Sequence, residues 1–170
     1  MLSSQQDAEN RYDLLRRQAL EAAEQISSPG HRFTEIDAVA LNALQAWEGA
    51  NDRLVDWNWA ALRSDFRRRY PKRFEVAVWN ATSLLALSLG RPTYAGRHMR
   101  LDIVEARPHT LGSREPALPD VLLAYGIYAK LLNANSIRIM NPINIEVKAY
   151  YERSGYTYIA KHNYLFRELS

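Results

Sequence analysis

A tyrosine at position 151, an asparagine at 144 and two carboxylates, Asp102 and Glu105, are the side chains of this chain whose types and settings allow chemistry. A carboxylate can take a proton from a nucleophile, so Asp102 or Glu105 could serve as a general base. Asp102 and Glu105 lie in the run Leu101-Asp102-Ile103-Val104-Glu105-Ala106, which reads as a strand. Three residues apart, they fall on opposite faces, and only one can look into a given site. Other chemistries find less support. The chain has no cysteine, which excludes disulfides and thiol catalysis. His31, His98, His109 and His162 are scattered among loops without ligand spacing, so no metal site is expected. No Gly-x-Ser-x-Gly elbow marks a serine nucleophile. Tyr151 also suits plain packing on an amphipathic helix.

Tyr151 and Asn144 belong to the stretch N-P-I-N-I-E-V-K-A-Y-Y-E-R-S-G-Y at residues 141–156. The apolar run Ile137-Arg138-Ile139-Met140 before it reads as a buried strand, and Pro142 and Asn144 suit a loop and a helix start. Residues 145–153 are good helix formers, Gly155 sits where a left-handed C-cap belongs, and residues 156–160 favour an extended strand. The unit is therefore strand, Asn-bearing turn, short helix, glycine, strand. In its details it resembles the GNAT superfamily of N-acetyltransferases. Members carry an Asn just after their fifth strand, a small apolar residue three positions on and a Tyr-Glu-Lys/Arg-x-Gly-Phe/Tyr ending, matched here by Asn144, Val147 and Tyr151-Glu152-Arg153-Ser154-Gly155-Tyr156.

That resemblance implies a fold and a set of roles. Tyr151 would protonate the departing thiolate of coenzyme A, and Asn144 would contact the pantetheine arm of acetyl-CoA or another acyl-CoA. An amine acceptor needs a base because it is mostly protonated at neutral pH. Glu105, nearer the carboxyl end of its strand, is the candidate, with an arginine-paired surface charge as the plain alternative. The chain departs from the family in the loop before Asp120. Members there usually show Arg/Gln-x-x-Gly-x-Gly/Ala, whose glycines let backbone amides cradle the pyrophosphate at a helix N-terminus. Here only Gly112 is present, Pro116 and Pro119 remove donors, and Asp120, expected as the helix cap, would oppose an anion. Arg114 is the cation placed to meet a phosphate from a rearranged loop.

The positioning elements are legible in order. Residues 4–26 read as a helix ended by Ser27-Ser28-Pro29-Gly30; it precedes the family-like part and is either an added packing or homodimer element or a solvated arm. Thr34 is expected to start a second helix that Gly49 closes, and residues 56–70 a third, whose Trp57, Trp59, Leu62 and Phe66 face the core and, by analogy with the family, wall the acceptor site. The basic run Arg67-Arg68-Arg69-Tyr70-Pro71-Lys72-Arg73 fits a solvated helix end better than a nucleic-acid patch. Residues 74–78 and 83–89 form a hairpin around Asn80-Ala81-Thr82, with the second strand central because Leu84-Leu85-Ala86-Leu87 is apolar on both faces. A loop over residues 90–96, a strand over 99–106, a helix from Asp120 to about residue 133 and two closing strands complete the chain, in the element order of GNAT proteins.

At 170 residues, with 47% apolar and 24% charged residues, the chain fits one globular domain. A net charge of +3 is mild, and no 18-residue apolar run or signal core appears, so no membrane partner and a cytoplasmic setting are expected. The expected fold is α/β with a mixed, mostly antiparallel sheet: a helical extension over residues 1–30 and a GNAT-like domain over 31–170. Two functions fit. One is an acyl-CoA-dependent N-acyltransferase acting on a small-molecule or protein amine. The other is a GNAT-like scaffold without catalysis that binds a protein partner.

Overall fold

The computed structural model describes residues 2–112 and 116–170. Seven strands form one sheet in the order β1-β2-β3-β4-β5-β7-β6, with β1 (His31–Thr34), β2 (Phe74–Asn80), β3 (Ser83–Pro92), β4 (His98–Ala106), β5 (Ser136–Met140), β6 (Thr157–Ile159) and β7 (Tyr164–Glu168). All neighbours run antiparallel except β4 and β5, whose parallel pairing requires the crossover that α4 (Leu118–Leu131) supplies. β3 lies between β2 and β4 with both faces buried, as its apolar run requires.

Two apolar clusters sandwich the sheet. Against one face pack α1 (Leu2–Ile26), α4 and α5 (Ile145–Arg153), meeting Phe74, Val76, Val78, Met99, Leu101, Ile137 and Leu165. Against the other pack α2 (Ala38–Leu44) and α3 (Trp59–Arg69), where Trp47, Trp59 and Phe66 meet Ala77, Trp79, Leu87 and Leu89. The first helix buries Arg16, Ala19, Leu20 and Ala23 against its own chain, so it is a packed layer and not a solvated arm. Its attachment is also ionic. Glu9 takes hydrogen bonds from Arg16 at 2.7 Å and from Arg73 at 2.8 Å, tying α1 to the start of β2. The basic run is committed in the same way: Arg67 pairs with Glu75, and Arg68 and Arg69 pair with Asp65. No described helix is long and apolar enough to cross a membrane.

Some boundaries differ from expectation. Thr34 does not start a helix; it ends β1, a four-residue strand that carries no strong pattern of its own, and the cap of α2 is Asp37, whose carboxylate accepts from Ala40 N at 2.9 Å. β3 runs on to Pro92 through the stretch read as loop. The fourth helix starts at Leu118, two residues before Asp120, with Ala117 in the cap position and no side-chain cap bond.

The sheet opens between β4 and β5. Their pairing covers only His98↔Ser136 through Leu101↔Ile139, after which β4 continues to Ala106 paired with β3 but not with β5. Just there the register against β3 slips: Gly90 faces Leu101 and Leu89 faces Ile103, leaving Asp102 as an extra residue. This bulge breaks the two-residue alternation, so Leu101 packs into the first cluster while Ile103 packs into the second. Gly90 is the residue that permits it. A Cβ at this position would lie 2.0 Å from the Arg100 carbonyl oxygen and 2.7 Å from the Tyr125 ring. Gly90→Ala should therefore cost about 3 kcal/mol, since neither the strand backbone nor the buried ring can move aside freely. Denaturant unfolding checks this, and an unchanged midpoint would remove the constraint. Val76→Asp should abolish the cooperative melt seen by circular dichroism, because Val76 is fully buried and an isolated carboxylate there cannot be paired.

Candidate active site

The parted strands open a cleft of about 600 Å³, walled by Val104, Glu105 and Ala106 of β4, by Val147, Tyr150 and Tyr151 of α5, by the loop before α4 and by the segment that precedes α3. Tyr151 and Glu105 are thus brought to one cavity from elements 46 residues apart in sequence. Asp102 is not part of it. Its carboxylate pairs with Arg100 at 2.6 Å, and burial raises it above the usual aspartate range.

Tyr151 is 1% exposed, packed edge-on between the Tyr150 and Tyr156 rings at 5.3 Å and 6.0 Å. Its ring is held as a packing tyrosine would be, yet its hydroxyl is buried without a hydrogen-bond partner among the described residues. Buried hydroxyls are rarely left so, and this one borders a cleft. Burial, with the neighbouring phenols of Tyr150 and Tyr156 adding to it, raises the phenol above its ordinary value and keeps its proton in place.

Asn144 is the N-cap of α5. Its side-chain oxygen accepts from Val147 N at 2.9 Å, which explains the three-residue spacing of Asn144 and Val147 in helix terms. Arg114 lies outside the described residues. At the start of α4, Asp120 is buried and bonded to Nδ1 of His31 on β1, so it is turned into the core and not toward the loop. The expectation that Asp120 caps this helix fails because His31, 89 residues away, takes its carboxylate. Pro119 stands in the first turn, where its missing N–H breaks no helical bond.

Glu105 is 5% exposed and clamped. Its Oε2 accepts from Arg53 Nε at 2.6 Å, and its Oε1 accepts from Arg53 Nη2 at 3.1 Å and from Trp59 Nε1 at 2.7 Å. Three of roughly four lone-pair positions are thereby filled. Next to the clamp, Thr110 gives its backbone N–H to Asp52 at 3.2 Å and its hydroxyl at 2.6 Å, and the hydroxyl bond above all holds the Asp52 carboxyl below its ordinary value. The two sets of bonds join the segment before α3 to the end of β4 and to the loop that follows it. Arg53 and Thr110 carry no sequence signal of this. Each sits in a polar, turn-rich stretch, and their partners lie 52 and 58 residues away. Among the described residues no cluster of three or more His, Asp or Glu could hold a metal ion.

The fold that carries this cleft, a mixed sheet with helices on both faces, is shared with solved structures. One similar structure is a putative GNAT-family acetyltransferase from Desulfovibrio desulfuricans, with a TM-score of 0.63 and 13% identity over 82% of this chain and 99% of that one. The chain has the GNAT fold. Ard1 from Thermoplasma volcanium superposes with a TM-score of 0.58 at 16% identity, covering 83% of this chain and 99% of that chain. The spermidine/spermine N-acetyltransferase SpeG from Vibrio cholerae does so at 0.55 and 12%, covering 82% and 92%. No family model matches the sequence, and no curated protein matches it. The GNAT fold here therefore carries side chains that have drifted far from these neighbours.

Arg53→Ala tests the clamp. Removing the guanidinium leaves a buried carboxylate without its charged partner, at a cost of about 3–5 kcal/mol. The double variant Arg53→Met/Glu105→Leu should recover most of that loss in a thermal melt. If single and double variants melt together, the pair is not coupled.

Proposed function

We propose that the protein is an acyl-CoA-dependent N-acyltransferase, transferring an acetyl or other acyl group to an amine. The observation that supports this most is the Tyr151 hydroxyl, buried, protonated and without a hydrogen-bond partner among the described residues, at the wall of the cleft. Acyl-CoA, when bound, supplies an acyl carbon activated as a thioester. Tyr151 is the acid in this proposal: as the acceptor nitrogen bonds the acyl carbon and the C–S bond breaks, its O–H gives a proton to the departing sulfur. Glu105 keeps about one lone-pair position, on Oε2, and we assign it the holding of a water that takes the amine proton, not direct contact with the amine. Asn144 is not among the residues that line the cleft and its side-chain oxygen serves the helix as a cap, so a contact of its amide with the pantetheine arm remains our proposal. Arg114 remains our proposal for a phosphate contact.

A second function, partner binding on a scaffold without catalysis, is favoured by one specific set of features: Pro116 and Pro119 beside the start of α4, and a Glu105 whose oxygens are already engaged. Calorimetry with acetyl-CoA separates the two. The acyltransferase requires binding at micromolar to millimolar concentration, whereas absence of heat at millimolar cofactor would give the case to the scaffold. Tyr151→Phe should leave the melt intact and slow transfer at least tenfold, the usual scale of a lost general acid. Because burial raises the Tyr151 phenol, the wild-type rate should not decline through the pH of a free tyrosine, about 10. A decline centred there in the wild type, absent in Tyr151→Phe, would mean the phenol titrates normally and the site is open to water.

A further inference from the structure

We propose that the nucleotide end of the acyl-CoA lies in a second cavity, between α4 and α5, where Lys130 and Arg167 meet the phosphate on its ribose; this deepens the acyltransferase assignment and rests on it. The cavity holds about 390 Å³ and adjoins the reactive cleft, since Pro119 and Tyr150 line both. Leu122, Gly126 and Lys130 carry it along one side of α4. Pro119 and Lys130 stand eleven residues apart in that helix, about 16 Å at the helical rise. The far end thus lies at the opposite end of α4 from the segment over residues 113–115. A ligand reacting at Tyr151 and reaching along this trough would bring its other end to Lys130.

That end is cationic. Lys130 is exposed in the last turn of α4, and Arg167 of β7 lies in register with Ile137 of β5, which lines the same cavity. Arg167 rests 6.0 Å from the Tyr156 ring and gives one bond to the Ser154 carbonyl at 3.5 Å, and neither cation is in an ion pair among the described residues. Two such cations beyond an apolar wall suit a phosphate carried on a flat, weakly polar ring system. An acyl tail would instead bring methylenes against two charged heads. The loop before α4 holds a single glycine, so side chains take a larger share of phosphate recognition than in an amide cradle. Gly126 points the same way. Inside a helix glycine is destabilising relative to alanine, and packing does not demand it: among the described residues a Cβ there would meet only Ile137 Cδ1, at an ordinary 3.8 Å. What the missing side chain leaves open is the wall of the cavity.

The test reads the nucleotide end apart from catalysis. Coenzyme A, dephospho-coenzyme A and adenosine 3′,5′-bisphosphate are titrated by calorimetry into the whole chain. Wild-type protein should bind coenzyme A about tenfold more tightly than the dephospho form, the scale of hydrogen bonds to a charged group. Lys130→Gln/Arg167→Gln should erase that difference, while Arg68→Gln, which removes an exposed cation on the other side of the sheet, should leave it unchanged. Gly126→Met keeps a good helix former, so its melt should not fall, yet by filling the cavity it should weaken adenosine 3′,5′-bisphosphate roughly tenfold. Equal affinity for coenzyme A and its dephospho form, a difference that survives loss of both cations, or no binding of the bisphosphate at millimolar concentration would overturn the inference. The two assignments fail separately. Turnover of acetyl-CoA without a preference for the ribose phosphate strikes the second cavity alone, and a cation-dependent preference without turnover strikes acyl transfer alone.

Discussion

The structure depends on the parting of two parallel strands. β4 and β5 are joined over four residue pairs and then separate, and Glu105, Tyr151, Asp52 and Glu146 line the opening. Backbone groups freed in this way must be met by something other than a neighbouring strand, so a gap in the middle of a sheet is costly unless it is shaped by design. Here it is shaped by one residue. The absence of a side chain at Gly90 lets the Arg100 carbonyl and the Tyr125 ring close on β3, and the extra residue Asp102 turns the rest of β4 over. With the turn, Glu105 comes to the α3 side, where Trp59 and Arg53 receive it.

The walls of the opening are tied by a set of long-range polar bonds, buried or part-buried at Glu105 and Asp120 and exposed at Asp52. Arg53 and Trp59 fasten the end of β4, Asp52 and Thr110 fasten the loop after it, and His31 with Asp120 fastens the start of α4 to the far edge of the sheet. At Glu105 and Asp120, removing one partner leaves the other buried and unsatisfied, which costs more than the bond itself contributes. The cleft walls are therefore held at three points by bonds that each span more than 45 residues of sequence.

Those same bonds mark where sequence reading ends. The hairpin of β2 and β3, the α5 unit with its Asn144 cap, and the central place of β3 follow from local patterns: alternation, capping spacing, a run apolar on both faces. The match of residues 144–156 to a known motif added the fold. By contrast β1 is four residues long and draws its strand character from pairing with β2, which no local pattern announces. Asp120 has the look of a helix cap, and only His31 across the sheet makes it a core residue. The alternation that set Asp102 against Glu105 assumes an unbroken strand, and the bulge between β3 and β4 removes that assumption.

The clamp on Glu105 also bears on how this site would divide its labour. In a site built around a free carboxylate, the base touches the amine and the acid touches the sulfur, and both must be mobile enough to change partners. Here the proposed acid is a phenol held between two aromatic rings, and the carboxylate proposed for the base side is held by a guanidinium and an indole. Neither group can move to its reactant, so the reactants must be brought to them. In the proposed reaction that places the burden on the shape of the cleft, which Val104 of β4 and Val147 of α5 help to wall. Such a site gains its rate from positioning more than from proton affinity. In the proposed reaction a rigid acid and a water-relayed base would then suffice, because the walls of the cleft would hold the reactants against them.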